Sequence, residues 1–343
     1  MDLQYCPFRN GPGADSAFAW FRAHDRAVRD FVPDMDASTE RLPDVSVELG
    51  HPIASNRYSA VFGVKSRADL VIKYQVNCDS LSTAHPLLRE YHFMSRMNLV
   101  DAQGVPHVHF VSAPAPLPPA PTLKASFKLE PAEWAACRGK GGEVRFMVME
   151  RTMNSVAQIS KAFPKQRVPL PMALFFTIST IEALRTIHSV GFVHNDIHAG
   201  NIVLGQHHMR IIDFGRAFRV QEVAVFVREP MARAMIHNSP WEIAGMLPGF
   251  RDDVFRALLV MAIMAGGAEA FGFHDALSES PQKAYELKAT GDIFVGLDGL
   301  APAVRDRLGA AVAAARAPAT PSAAVDYDRI IEELQAALVL LRH

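Results

Sequence analysis

Cysteine is scarce in this chain: three residues in 343, at Cys6, Cys78 and Cys137. They form no metal-binding spacing and no disulfide framework. Buried or free thiols are therefore expected, in a reducing intracellular compartment such as the cytoplasm. An excess of charge is also missing. The net charge is −1 and the pI about 6.9, which removes the electrostatic case for nucleic acid or an acidic membrane as partner. Long apolar runs are absent. The longest, Ala257 to Ala265, is far short of the roughly 20 residues that span a bilayer. The opening Met1-Asp2-Leu3-Gln4 has no basic region leading into an apolar core, so no secretory signal is expected. No internal repeat is visible.

What is present is a chain of 49% hydrophobic residues, enough to fill sizeable cores in one large or two medium domains. Residues 1–44 read as an N-terminal extension, with an amphipathic helix predicted from Ala14 to Val32 and Leu42-Pro43 breaking the chain after it. Strands are predicted at Val45–Leu49, Ser59–Val64, Leu70–Tyr74, Val108–Val111 and Val144–Glu150, with a helix over His85–Met97. Five prolines in Ala113–Pro121 mark an extended surface loop, and Lys124–Gly142 reads as an insertion without assigned structure. Beyond residue 153 the pattern is helical: Leu170–Val190, closed by Gly191 as a C-cap, then Asp252–Ala265, Ala301–Ala315 and Asp326–Arg342. A β-rich part followed by a helical part predicts an α+β architecture of two lobes with a cleft between them.

The densest chemistry lies in Val193-His194-Asn195-Asp196-Ile197-His198-Ala199-Gly200-Asn201 and, twelve residues after its end, Asp213-Phe214-Gly215. Short β-prone runs flank both, Phe192-Val193, Ile202–Leu204 and Met209–Ile212, and the last two read as a hairpin turning at Gly205–His208. Asp196, Asn201 and Asp213 can then converge at one end of it. Phosphoryl transfer from a magnesium nucleotide needs a carboxylate facing the acceptor hydroxyl, and an amide and a carboxylate on the metal.

These motifs resemble the catalytic loop and metal-binding triplet of the protein kinase superfamily, most closely its Ser/Thr protein kinases. The resemblance runs over about residues 45–335. It implies a bilobal α+β kinase-like fold, with an N-lobe at 45–152 that includes the 113–142 loop and insertion, a C-lobe at 153–343, and an ATP cleft between them. Lys73, ending the strand Val71-Ile72-Lys73-Tyr74, takes the place of the phosphate-contacting lysine, and Glu90, seventeen residues on, that of its helix partner. Phe146–Thr152 resembles the strand leading into the hinge. By that likeness Met149 is the gatekeeper, the Glu150 carbonyl and Thr152 backbone pair with adenine, and Val61, Val71 and Val203 sandwich the ring. Asp196 is the catalytic carboxylate; Asn201 and Asp213 hold Mg2+. Ser239-Pro240-Trp241-Glu242 resembles the end of the activation segment. Asp253 would brace the catalytic loop, and its position also suits a helix N-cap.

The chain departs from the family pattern at four places. Ala54, Asn56 and Ser59 stand where the phosphate loop carries glycines, which reduces access to φ > 0. Asn195 replaces the arginine before the catalytic Asp. His198 replaces the lysine two residues after it, leaving a weaker site for transferred charge unless the imidazole is protonated. The late arginine that pairs with the activation-segment glutamate is not evident near Ala319-Thr320-Pro321. The implied function is an ATP- and Mg2+-dependent Ser/Thr protein kinase acting on a protein hydroxyl. Two alternatives remain open: a small-molecule kinase of the aminoglycoside or choline type, for which Asp-x-His-x-x-Asn is the normal loop, and a catalytically weak pseudokinase or scaffold.

Overall fold

The computed structural model describes residues 49–55, 58–65, 67–78, 86–100, 102, 104–112, 115–117, 130–205, 208–220, 238–267, 281–294, 296–297, 299–317, 320 and 323–342. The predicted helix Ala14–Val32, the turn residues Gln206 and His207, and Asn56 of the phosphate loop lie outside them. The chain divides into two compact units, one formed by Met1–Val100 with Pro106–Arg151, the other by Asp101–Val105 with Thr152–His343.

The first unit is built on an antiparallel sheet of β1 (Leu49–Ser55), β2 (Ser59–Val64), β3 (Leu70–Asn77), β4 (Val108–Val111), β5 (Ala115–Pro116) and β6 (Glu143–Glu150), ordered β1-β2-β3-β6-β4, with β5 also on β6. The strand alternation of side chains sorts the residues onto two faces. Leu70, Ile72, Tyr74 and Val76 of β3, with Ala60, Phe62 and Val64 of β2 and Val144 and Val148 of β6, build one core. Tyr74 packs edge-on to Phe62 and tilted against Phe146. The opposite phase of β3, Val71 and Lys73, lies in register with Val61 of β2 and with Met149 and Met147 of β6. Helix α1 (Pro86–Leu99) packs against β3, β4 and β6. Its buried Leu87, Glu90, Tyr91, Met94 and Met97 recur at helical spacing. The Asn98 amide ties α1 to β4, donating to the Val108 carbonyl at 2.7 Å.

One finding completes the sequence reading of this unit and another corrects it. The insertion, left without assigned structure, contains helix α2 (Pro131–Gly139), which starts at a capping box, in which the Glu130 N–H donates to the Glu133 carboxylate at 3.1 Å. It sends Trp134 and Cys137 into the core. Cys137 is also not a free thiol, because it is disulfide-bonded to Cys78, just past β3. The two lie 59 residues apart in sequence, so chain spacing carries no hint of the pair. The sheet brings them together.

The second unit is mainly helical, with α3 (Val156–Lys161), α4 (Leu170–Ser189), α5 (Pro240–Ile243), α6 (Phe250–Gly266), α7 (Pro281–Thr290), α8 (Pro302–Arg316) and α9 (Tyr327–Leu340) among the described residues. Helix α4 is long and apolar enough, by composition, to cross a membrane, yet most of it is buried. It packs against α6, α9 and a hairpin strand, as a core helix does. It ends at Gly191, whose φ of 81° is the left-handed cap conformation. Gly104 is needed for close approach: a Cβ there would lie 2.2 Å from that of Ala183 on α4. Helix α6 is apolar nearly all round and accordingly buried along most of its length. Small strands complete the unit, β7 (Phe192–Val193) with β10 (Phe218–Arg219), and β8 (Ile202–Leu204) with β9 (Met209–Ile211), both antiparallel.

Candidate active site

In the first unit the predicted pair is formed. The Lys73 ammonium lies 3.0 and 2.8 Å from the two oxygens of Glu90, and both side chains are buried. Burying two charges is costly unless each is partnered. Here the sheet supplies the lysine, and the buried face of α1 supplies the glutamate. Val61, Val71 and Met149 share the sheet face of Lys73 through the strand register. The Glu150 N–H is bonded to the His107 carbonyl at 2.8 Å.

In the second unit the predicted loop is a tightly hydrogen-bonded object. Between β7 and β8 the chain must turn sharply, and Asn195 does so in the left-handed region at φ 62°. Asn tolerates that region better than most L residues. The strain is held from below by Asp253. Its Oδ2 accepts from the His194 N–H at 2.6 Å and its Oδ1 from the Asn195 N–H at 2.8 Å. Asp253 therefore braces the loop and does not cap its own helix. Helix α6 starts earlier than predicted, at Phe250, and Asp252 does the capping, accepting from the Gly249 N–H at 2.8 Å. Burial alone would raise the Asp253 carboxyl; its hydrogen bond to His188 and nearby positive charge outweigh burial and hold it below the usual carboxylate range.

His194 staples the two motifs together. Its Nδ1 accepts from the Asp196 N–H at 3.2 Å, and its Nε2 lies 3.1 Å from the Ile212 carbonyl. One nitrogen accepting and the other donating is the neutral imidazole, and full burial lowers its pKa in agreement. The ring also sits edge-on to Phe214. Ile212 donates its N–H to the Asn201 carbonyl at 3.0 Å. Asp213, the next residue, is again left-handed at φ 66° and leads into the 3-10 turn Phe214–Arg216. Asn201 closes the arrangement, its amide nitrogen 3.0 Å from the Asp196 carbonyl. The structure thus brings Asp196, Asn201 and Asp213 together through backbone and His194. Val203 is buried on β8 and bridges to Ser155, while Thr152 opens this unit. His198 accepts from the Gly200 N–H through Nδ1 at 3.0 Å, with Nε2 4.0 Å from Asp196 Oδ2.

Oxygen donors such as an amide and a carboxylate suit a hard divalent cation, and Mg2+ commonly takes only one or two protein ligands beside phosphates and water. The Asn201–Asp196 contact uses the amide nitrogen and leaves the Asn201 oxygen as the donor a cation would take. The residues present fit such an ion. No cluster of three His, Cys, Asp or Glu side chains offers a self-sufficient metal cage among the described residues.

A family model of the protein kinase domain matches residues 139–235, the stretch that contains this loop and triplet. Over that stretch the chain is similar to the protein kinase domain. It is 34% identical over 90 residues to the serine/threonine-protein kinase SULU of Caenorhabditis elegans, covering 26% of this chain and 9% of that protein. It is 28% identical over 167 residues to the serine/threonine-protein kinase STK11 of Rattus norvegicus, covering 48% and 37%. It is 33% identical over 91 residues to the probable serine/threonine-protein kinase PkwA of Thermomonospora curvata, covering 26% and 12%. The matched stretches thus span well under half of each relative.

Around this loop, several partners went unread in the sequence. Glu242, in α5, pairs with a buried arginine after all, but that arginine is Arg256 on α6. Asn238 also donates to Glu242, at 2.8 Å, and Ser239 bonds the Asp252 carboxylate. Burial pushes that carboxyl up to about 6, against the Ser239 hydrogen bond. His188, at the end of α4, bonds Asp253 at 3.0 Å through Nε2 and Tyr327 of α9 through Nδ1. The only available signals were the position of Arg256 three residues past Asp253 and the arginine directly after Asp-Phe-Gly.

Proposed function

We propose that this chain is an ATP- and Mg2+-dependent phosphotransferase, and specifically a Ser/Thr protein kinase. The observation that carries the reading is the loop itself: a partly exposed Asp196 carboxylate on a backbone clamped by Asp253 and His194, with Asn201 and Asp213 beside it. Such rigidity is what positioning and charge stabilisation require. Asp196 orients the acceptor hydroxyl and takes its proton. The new bond forms between that oxygen and the γ-phosphorus; the bond to the bridging oxygen breaks, and ADP leaves with the electron pair. Lys73, held by Glu90, meets phosphate charge of the nucleotide. Asn201 and Asp213 would hold the metal, which when bound would neutralise charge on the phosphates. On the first unit, Val61, Val71 and Met149 offer apolar surface for adenine and the Glu150 backbone a hydrogen-bonding edge; the resemblance assigns Thr152 and Val203 of the second unit to the same ligand.

His198 favours a second reading. Its imidazole shapes the loop through Gly200, as suits the small-molecule kinases whose loop carries histidine at that place. One assay separates the two. The protein is incubated with γ-labelled ATP, Mg2+ and either generic protein substrates or aminoglycosides and choline, beside Asp196→Ala. Label on serine or threonine that falls by about 10³-fold or more in the variant is expected. Label only on a small molecule supports the second reading. A nucleotide-induced thermal shift without transfer makes the protein a binding scaffold.

A further inference from the structure

Asp196 is dressed asymmetrically. Its Oδ1 accepts from Arg216 Nη1 at 3.2 Å, while Oδ2 lies 3.5 Å from the Asn201 amide nitrogen and 4.0 Å from His198 Nε2. Arg216 closes the 3-10 turn that Asp213 opens, so the turn that presents Asp213 also delivers a cation. Its backbone is held as well: the Asn195 amide nitrogen lies 3.4 Å from the Arg216 carbonyl. Asn195 therefore does more than fill the place of an arginine. It ties Arg216 to the residue beside Asp196. The Arg216 side chain is 53% exposed, so part of the guanidinium remains open to a ligand.

Transfer at such a site meets an electrostatic problem. A carboxylate must approach a phosphoryl group that is itself anionic, and a nearby cation eases that approach. His198 holds the place where a lysine would stand. A guanidinium keeps its charge at all working pH and offers five donors matched to anionic oxygens. We propose that Arg216 is the cation of the transfer site. It holds Asp196 through Oδ1, leaves Oδ2 for the acceptor hydroxyl, and turns its remaining N–H groups on the phosphoryl oxygens as transfer proceeds. The inference rests on the phosphotransfer reading above, and names a catalytic residue within it.

The test is steady-state kinetics on the full chain with the acceptor found for the wild type, using Arg216→Met, Arg216→Lys and the double variant Arg216→Met/His198→Lys. An ion pair this exposed contributes little to stability, so circular dichroism and melting temperature should match the wild type. Removing one transition-state donor typically costs about 10²–10³ in kcat. Arg216→Met should fall by that order, with KM for ATP nearly unchanged. Arg216→Lys should keep an intermediate rate. In the double variant, a lysine replaces the imidazole whose Nε2 lies 4.0 Å from the same carboxylate and should restore kcat about tenfold or more over Arg216→Met. An unchanged kcat in Arg216→Met overturns the proposal. A raised kcat overturns it too, and makes the ion pair a brake. A loss that the added lysine leaves unrepaired reduces Arg216 to a structural contact. If the wild type shows no transfer that depends on Asp196, the phosphotransfer reading itself fails and takes this role with it. An active wild type with an indifferent Arg216 sinks only the inference.

Discussion

Among the described residues, the Lys73–Glu90 pair of the first unit and the Arg216–Asp196 pair of the second lie at candidate functional positions, and the two are opposites. Lys73 and Glu90 are 10% and 1% exposed and engage both carboxylate oxygens. Arg216 and Asp196 are 53% and 19% exposed and share one contact at 3.2 Å. The buried pair can hardly break, because either partner alone would be a desolvated charge. The open pair breaks at little cost and can trade its contact for a ligand. The difference separates two jobs. A group that holds a phosphate in place benefits from being fixed. A group that meets an acceptor must be free to re-pair, and its precision comes from what lies beneath. For Asp196 that foundation is the buried Asp253, His188 and His194 network.

The comparison breaks most clearly at Glu90. Glu90→Ala should lower the unfolding free energy by about 3–5 kcal/mol, as removal of one partner from a buried pair does. Urea unfolding measures this, and replacing both residues by apolar ones, Lys73→Met with Glu90→Leu, should restore most of the loss while abolishing phosphotransfer. A cost below about 1 kcal/mol would mean that the pair behaves like a surface one.

Another buried cation sharpens the contrast through pH. Lys288 on α7 donates to the Asn238 carbonyl at 2.8 Å, near Glu242 and Arg256, and burial pushes its pKa down to about 7. Its folded value lies below the unfolded 10.5, so between those values the unfolded chain binds more protons. Stability contributed by this group therefore rises with pH above about 7. Raising the pH from 7 to 9 should add on the order of 2 kcal/mol, read as melting temperature, and Lys288→Met should flatten that slope. A wild-type profile that falls over this range contradicts the assignment.

The smallest effect concerns the foundation of the loop. Tyr327→Phe removes one hydrogen bond to His188 and should cost about 1 kcal/mol. If the network positions Asp196, kcat should drop several-fold with KM for protein substrate little changed. A variant that loses stability but keeps kcat shows that the relay ends at His188.

Much of this was legible along the chain. Strand β2 occupies the predicted Ser59–Val64 and β4 the predicted Val108–Val111, because period-2 burial is written locally. Helix α6 was read two residues short at its start. The apolar periodicity announces a helix body, whereas its beginning is set by the reciprocal contact of Gly249 with Asp252. The Lys73–Glu90 partnership was readable because the strand lysine and the helix glutamate after it resemble the pair of the protein kinases. The Cys78–Cys137 bond and the Tyr327–His188 contact had no such mark, and the Arg256–Glu242 pair had only the position of Arg256 three residues past Asp253.

By itself, the order of residues determined which chemical groups exist and which local elements they ride on: a lysine on a strand, a glutamate on a helix face, an Asp, an Asn and an Asp around a short hairpin. Only the tertiary structure decided who meets whom. It put Arg256 on Glu242 and seated Glu90 of a helix against Lys73 of a strand. It also set Arg216 against Asp196, where the motif itself offers only a histidine. The physical reason is that propensity and periodicity act over a few residues. Desolvation, by contrast, penalises any buried charge until some partner, however distant in sequence, is packed against it.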